Sequence, residues 1–345
     1  MVDRSFGLGI IGTGMGATPH AAALNDLRGR VDVRGVFSRT AEKRAAFAEK
    51  HGFPVADSLE ALLDDPGVDG LLIITPPNAR RGLVDAAVRA GKHILMEKPV
   101  ERTLAAASDI VATCERAGVT LGIVFQQRFR EGALALRELV YSGRLGRIAA
   151  VQLVVPWWRP QQGYYDRPGR GTMAQDGGGV LISQAIHSLD LMLSFTGPVA
   201  EVQAVAGTTA LHQMETEDFV GAGLRLANGA LGALMATTAN FPGEAEYLVL
   251  NCEHATARLM GSELTLRWAD GRSETIGSDT STGGGADPMA FPHHWHRALI
   301  EDFVDACRTG RPPVSSGRGA LAVHRLIEAL LASSAERRAV SVPSA

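Results

Sequence analysis

Cysteine is scarce in this chain: Cys114, Cys252 and Cys307 are its three, far apart among 345 residues. An odd count without ligand-like spacing excludes a disulfide framework and a cysteine-based metal site. It fits buried thiols in a reducing compartment, so a cytoplasmic protein is expected. No apolar run reaches membrane-spanning length. Met1-Val2-Asp3-Arg4 leads directly into a strand pattern, without the basic region, apolar stretch and cleavage site of a secretory signal. An excess of one charge is missing too, with Lys+Arg at 34 against Asp+Glu at 37. That balance offers no face for nucleic acid or a membrane surface. What remains is an ordinary globular composition, 46% hydrophobic and 21% charged, in a length that calls for two packed domains.

Over the first 124 residues, short β-rich runs alternate with helical patterns. Leu8 to Ile11, Val31 to Phe37, Gly70 to Ile74, His93 to Met96 and Val119 to Val124 read as strands, with helices such as Arg80 to Ala90 and Leu104 to Ala117 between them. Strands that are apolar throughout, rather than alternating, are covered on both faces, which predicts a doubly wound parallel sheet of the Rossmann type. Residues 125–345 have a different texture. A helix from Gly132 to Tyr141 precedes the strand Ile148 to Val155. A loop rich in Trp, Tyr, Arg, Gly and Pro then fills Pro156 to Gly179. From Val199 to Ile276, strand-like runs follow one another around turn signals, which predicts an open, mainly antiparallel sheet, with helices at 180–196, 294–308 and 319–336. Gly277 to Asp287 is poor in apolar residues and is expected to be a mobile loop. No internal repeat is visible.

Gly12-Thr13-Gly14-Met15-Gly16-Ala17 is a G-x-G-x-x-A turn placed after the first strand and before a helix. Gly12 permits the tight turn, Gly14 lets the backbone approach a pyrophosphate, and Ala17 allows close helix packing, with the anion on the helix N-terminus. In that context the pattern indicates a dinucleotide site. The second strand ends in Phe37-Ser38-Arg39, where an NAD site usually carries an acid for the ribose hydroxyls. Ser38 and Arg39 can donate to a 2′-phosphate, so the cofactor is NADP or NAD, with NADP favoured.

Glu97-Lys98-Pro99 stands at the carboxyl end of the strand His93 to Met96, the end at which open α/β sheets bind ligands. Pro99 stops the strand and fixes the chain direction, which aims Lys98 at the nicotinamide edge. A second cluster follows the glycine run Gly177-Gly178-Gly179. At helical spacing Ser183, His187 and Asp190 share one narrow polar stripe on an otherwise apolar helix. Such a stripe either faces a cavity or is a core histidine satisfied by Asp190.

"GIIGTGMGA", "TPPN" (75–78), "GKHILMEKP" (91–99), the GGG…H..D run (177–190) and "EDFVDACRTGRPP" (301–313) together resemble the Gfo/Idh/MocA family of NAD(P)-dependent oxidoreductases across nearly the whole chain. The resemblance implies a Rossmann domain followed by an α/β domain whose open sheet serves oligomerisation, as a homodimer or homotetramer. It implies that Lys98 and His187 flank the substrate at the nicotinamide. Cofactor contacts are then expected from Gly12, Gly14, Met15, Ser38, Arg39, Thr75, Pro76, Asn78, Glu97 and Lys98. Two departures stand out. Family members acting on sugars and cyclitols often carry Asp four residues before the histidine, where this chain has Ser183 followed by Gln184. The "TPPN" stretch usually leads to a histidine, and here continues Ala79-Arg80-Arg81.

The expected chemistry is hydride transfer between nicotinamide C4 and a secondary alcohol or ketone of a sugar, cyclitol or related ring. Lys98 supports the reacting oxygen, His187 moves the proton, and Asp190 orients the imidazole. Trp157, Trp158, Arg159, Tyr164, Tyr165, Arg167 and Arg170 form an expected substrate wall of stacking rings and anion-binding arginines. Gln126, Arg128, Ser183 and Gln184 are further substrate candidates. No metal site is expected, because in His293-His294-Trp295-His296 only two histidines share a helical face and no carboxylate completes a set. Glu215, Glu217 and Asp218 read as a solvated strand entrance. Two alternatives stand beside the dehydrogenase: an NAD-dependent glycosidase working by transient oxidation and elimination, and a non-catalytic nucleotide-sensing regulator.

Overall fold

The computed structural model describes residues 4–278, 283–284 and 291–344. The loop expected over Gly277 to Asp287 therefore falls largely outside the described residues. The chain forms two compact units, Met1–Val124 with His293–Ala320, and Phe125–Pro292 with Leu321–Ala345. A single division after residue 124 is thus corrected in one respect: residues 293–320 return to the first unit.

The first unit contains β1 (Phe6–Ile11), α1 (Ala17–Asp26), β2 (Val31–Phe37), α2 (Ala41–His51), α3 (Leu59–Leu63), β3 (Gly70–Ile73), α4 (Arg81–Arg89), β4 (His93–Met96), α5 (Leu104–Arg116) and β5 (Leu121–Ile123). The five strands pair in parallel in the order β2-β1-β3-β4-β5. All residues of β1 and β3 are buried, as continuous apolar runs in a sheet covered on both faces require. Strand order reverses between β1 and β3, which creates a crevice at their carboxyl ends. The returning segment supplies the helix His294–Thr309. Its Phe303 sits edge-on to Phe6 at 6.1 Å, and a Cβ on Gly122 would come within 2.9 Å of the Phe303 ring. The absent side chain at position 122 is what lets this helix close on the sheet.

The second unit contains α6 (Glu131–Tyr141), β6 (Ile148–Pro156), α7 (Ile186–Thr196), β7 (Val199–Gly207), β8 (Phe219–Leu226), β9 (Leu231–Thr237), β10 (Tyr247–Cys252), β11 (Ala255–Met260), β12 (Glu263–Trp268) and β13 (Ser273–Ile276). The helix of the first unit at His294–Thr309 is α8; α9 (Gly317–Glu336) and β14 (Val340–Ser341) follow it. The nine strands order as β13-β12-β11-β10-β6-β9-β8-β7-β14. Pairing is antiparallel except between β6 and β9, so the sheet is mixed and mainly antiparallel. α6 and α7 pack on one face, where Leu153, Val220, Leu234 and Leu248 are buried. On the opposite face Val205, Gly221, Met235, Val154, Tyr247 and Met260 stand side by side across six strands, and all are half-buried or exposed.

Candidate functional site

The strand ends of the first unit bring the expected cofactor residues to one edge. Ile74 N–H donates to the Ile11 carbonyl at 2.8 Å and Glu97 N–H to the Ile73 carbonyl at 2.9 Å. The turn after β1, Thr75-Pro76 after β3 and Glu97-Lys98 after β4 are therefore neighbours. Gly12 holds φ at 104°, and a Cβ there would lie 3.1 Å from the Ile74 carbonyl carbon, so conformation and space both demand glycine. Gly14 differs: among the described residues, no atom lies within 4 Å of the Cβ it lacks. Its missing side chain leaves room for something other than the protein. Met15 and Asn78 are exposed. The Thr75 hydroxyl oxygen is buried and has no hydrogen-bond partner among the described residues. Open space beside Gly14, an unengaged hydroxyl and the first N–H groups of α1 together fit a dinucleotide. Past β2, Ser38 donates to the Thr40 carbonyl at 3.1 Å and Arg39 is exposed. Arg44, which sequence reasoning missed, lies against the Phe37 ring and reaches the Ser38 carbonyl at 3.4 Å.

Lys98 is half-buried, on a corner gripped from two sides. Arg80, only 2% exposed, donates to the Thr75 carbonyl at 2.9 and 2.8 Å and to the Lys98 carbonyl at 3.4 Å, and also to the carbonyls of Glu97 and Pro99. Burial pulls its guanidinium down to about 10, against the charges of Glu97 and Glu101, so it stays protonated at neutral pH. Charge-assisted hydrogen bonds of this kind are each worth about 1.5–3 kcal/mol. From α1, His20 Nε2 meets the Glu97 carboxylate at 2.8 Å, while the other carboxylate oxygen accepts the Lys98 N–H at 3.2 Å. Burial alone would raise Glu97, but the His20 hydrogen bond and the charges of His20, Lys98 and Arg80 hold it below its usual range.

His296 of α8 completes this cluster, edge-on to His20 with ring centroids 4.7 Å apart. Together His20, Glu97 and His296 bring three donor atoms within 4.8 Å of one another, a set that inspection of the His293 to His296 run alone did not find. The His20–Glu97 hydrogen bond already engages two of the three donors, and the Lys98 and Arg80 cations act on the same carboxylate. Burial, with the nearby His20 and His293, pushes His296 well below the ordinary histidine range.

In the second unit the histidine helix is wide at its start. Leu181–Ala185 forms a π-helical turn before α7 begins, so the uniform stripe expected of Ser183, His187 and Asp190 is broken. Ser183 turns its hydroxyl back onto the Gly179 carbonyl at 2.6 Å, and Gln184 donates to the Tyr164 hydroxyl. Asp190 gives both carboxylate oxygens to Arg128, each at 2.6 Å. The orienting partner foreseen for His187 is thus engaged in a bidentate ion pair. Burial works against the Arg128 charge, but Asp190 holds it above its usual value. His187 itself is buried, edge-on to Phe125 with centroids 6.0 Å apart. Gln126, on the turn after Phe125, has a buried side-chain oxygen without a partner among the described residues.

The last glycine of the run, Gly179, is explained by Glu217. Its carboxylate accepts Gly179 N–H at 3.1 Å and Leu181 N–H at 3.0 Å, and its carbonyl accepts Val180 N–H at 2.8 Å. A Cβ on Gly179 would lie 1.8 Å from that carbonyl oxygen. The solvated entrance expected here is corrected for two of its three acids. Glu215 is exposed, but Glu217 and Asp218 are buried, with Asp218 taking His212 Nδ1 at 2.7 Å. Burial pushes the Glu217 carboxyl up, against backbone hydrogen bonds led by that of Leu181.

The expected substrate wall is in part a self-packed loop. Tyr165 is buried with its hydroxyl 2.7 Å from Thr238 Oγ1. Arg159 is buried and donates to the carbonyls of Trp158 and Gly283, each at 2.7 Å. Arg170 pairs with Asp176 at 3.3 Å and lies over the Tyr164 ring. Trp158 stays half-buried between His212 and the exposed Phe241, and Arg167 is exposed. Aromatic and arginine content alone could not separate side chains that hold the loop from those that face outward.

Comparison with known proteins gives two family-model matches, an oxidoreductase family with an NAD-binding Rossmann fold over residues 6–125 and a GFO/IDH/MocA C-terminal domain over residues 133–267. The chain is similar to 1,5-anhydro-D-fructose reductase of Ensifer adhaerens, 32% identical over 205 residues, 58% of this chain and 60% of that protein. The chain thus spans less than two thirds of that relative's length. It is also similar to the NADP-dependent scyllo-inositol 2-dehydrogenase IolW of Bacillus subtilis, 23% identical over 96% of this chain and 95% of that one. Among solved structures, the WlbA dehydrogenase of Bordetella pertussis in complex with NADH and UDP-GlcNAcA superposes with a TM-score of 0.82, at 26% identity, over 99% of this chain and 100% of that one. Two domain models that together span most of the chain, over a matching pair of sheets, establish that it belongs to the Gfo/Idh/MocA oxidoreductase family.

Proposed function

We propose that the protein is an NAD(P)-dependent dehydrogenase or reductase acting on a secondary alcohol or ketone of a sugar, cyclitol or related hydroxylated ring. The observation that carries this reading is the shared edge of the first unit, where the open space beside Gly14, the unengaged Thr75 hydroxyl and the Glu97-Lys98 corner adjoin. The nicotinamide supplies the hydride acceptor or donor. The first-turn N–H groups of α1 would bind the pyrophosphate of the dinucleotide, with Gly14 leaving the approach open. In the oxidising direction the C–H electron pair leaves as hydride and the O–H proton passes to His187, leaving a carbonyl. Lys98 donates to the reacting oxygen and stabilises the charge that develops there.

Substrate recognition falls to the buried Gln126 amide oxygen, which has no partner among the described residues, and to the Trp158 ring and His187. Arg128, Arg159 and Arg170 bind carboxylates or carbonyls of the chain itself. An anionic substituent would therefore be left to the exposed Arg167, and a neutral polyol suits the site better. This departs from the arginine-based preference for acids. NADP is favoured over NAD, because exposed Arg39 and neighbouring Arg44 follow the end of β2, where an NAD-preferring site usually carries an acid. The uncovered apolar row of the second sheet is assigned to self-association. Three free thiols, buried or half-buried, fit the expected cytoplasmic setting.

The test is a steady-state screen of sugars, cyclitols and their acids with NAD and NADP, followed by Lys98→Ala on the preferred pair. The variant should bind cofactor normally and lose about 10²–10³-fold in kcat, the usual effect of removing one donor to a developing oxyanion. Normal binding with wild-type turnover would defeat the assignment.

A further inference from the structure

Arg80 has no place in the chemistry just described, yet it is among the most buried of the charged side chains. It lies just past the TPPN stretch, which in the family resembled usually leads to a histidine. A guanidinium can be sequestered by pairing with a carboxylate, but among the described residues every hydrogen-bond acceptor of this one is a main-chain carbonyl: Thr75, Glu97, Lys98 and Pro99. Three of the four belong to the Glu-Lys-Pro corner, and the fourth belongs to the loop after β3 that carries the unengaged Thr75 hydroxyl. The fork is planar and rigid, so binding these carbonyls at once fixes the direction in which the chain leaves β4. A histidine offers at most two donors and could not span the set. Glu97 and Glu101 add only longer-range attraction, so the side chain is held where it is by the backbone it organises.

From this geometry we propose that Arg80 is a positioning residue for Lys98, locking the corner so that the ammonium meets the reacting oxygen in one fixed direction. The inference rests on the hydride-transfer reading for its catalytic consequence, but not for its structural one. His20 grips the same corner through the Glu97 side chain, whereas Arg80 grips the corner's carbonyls.

The chain offers an unusually clear probe, because it has four lysines, Lys43, Lys50, Lys92 and Lys98. After reductive ¹³C-methylation, each gives a resolvable dimethyl-lysine signal, with Lys98 identified by its loss in Lys98→Arg. In Arg80→Met the Lys98 signal should shift or broaden while those of Lys43, Lys50 and Lys92 stay in place. kcat should fall at least about tenfold, with the cofactor Kd within about twofold of wild type. Arg80→Lys keeps the charge but not the fork, and guards against misfolding of the first variant. It should keep a near-native melting temperature and still lose kcat. An unmoved Lys98 signal in Arg80→Met, or wild-type kcat in Arg80→Lys, would overturn the proposal. If the wild-type protein turned over no member of the substrate panel, the hydride-transfer reading would fail by itself, and the lysine spectra would still decide whether Arg80 holds the corner.

Discussion

At the level of single residues, the two glycines of the phosphate turn are there for different reasons. Gly12 answers to the protein, through a positive φ and the nearby Ile74 carbonyl, while Gly14 faces space that no described atom fills. Gly14→Ala is therefore expected to leave the melting temperature within about 1 °C and to weaken NADP binding about tenfold, since the added methyl meets only the ligand. Calorimetric titration beside a thermal melt checks both halves, and a variant that binds as wild type would remove the ligand from this turn. Gly12, Gly14 and Lys98 were legible in the sequence because their meaning lies in local spacing. Arg80 and Glu217 were not, because the Glu-Lys-Pro carbonyls that Arg80 binds are 17–19 residues away and the N–H groups that Glu217 binds are 36–38 away, and no local pattern records such a contact. The pairing of Asp190 with Arg128, 62 residues apart, escaped notice for the same reason.

At the level of elements, the histidine helix depends on a carboxylate outside it. Removing the Glu217 side chain by Glu217→Ala leaves the Gly179 and Leu181 N–H groups buried without an acceptor, an expected loss of about 2–4 kcal/mol. Its pH signature has a definite sign. Burial raises the folded-state pKa of Glu217, so the folded chain holds this proton more tightly than the unfolded one. The contribution to stability is full below the unfolded value near 4.5 and declines as pH rises through the folded value. Glu217→Gln should lack that decline, making its melting-temperature deficit largest near pH 4.5 and smaller at neutral pH. A deficit that is flat with pH would contradict the linkage. The helix itself was visible from its apolar periodicity, but the π turn at Leu181–Ala185 was not, since a widened turn leaves the same residue types in the same order.

At the level of the whole molecule, the uncovered row Val205, Gly221, Met235, Val154, Tyr247 and Met260 is the surface most readily explained by a second copy of the chain. Met235→Glu puts a charge in the middle of that row, and should convert an assembly into a 36.5 kDa monomer in light scattering without loss of fold. A wild-type protein already monomeric at micromolar concentration would rule out the assignment. Both sheets were legible, one from continuous apolar runs and the other from successive strands without helices. The allocation of residues 293–320 was not, because an amphipathic helix records that it has an apolar face but not which surface receives it.

That allocation bears on biosynthesis. A ribosome that has translated as far as Val124 has released a parallel sheet still lacking the helix that covers Phe6 and Gly122. The nascent sheet must wait, with that apolar surface bare, until translation has passed through the whole intervening sheet. The parallel sheet thus precedes in synthesis the helix that completes it, with the whole second sheet between them.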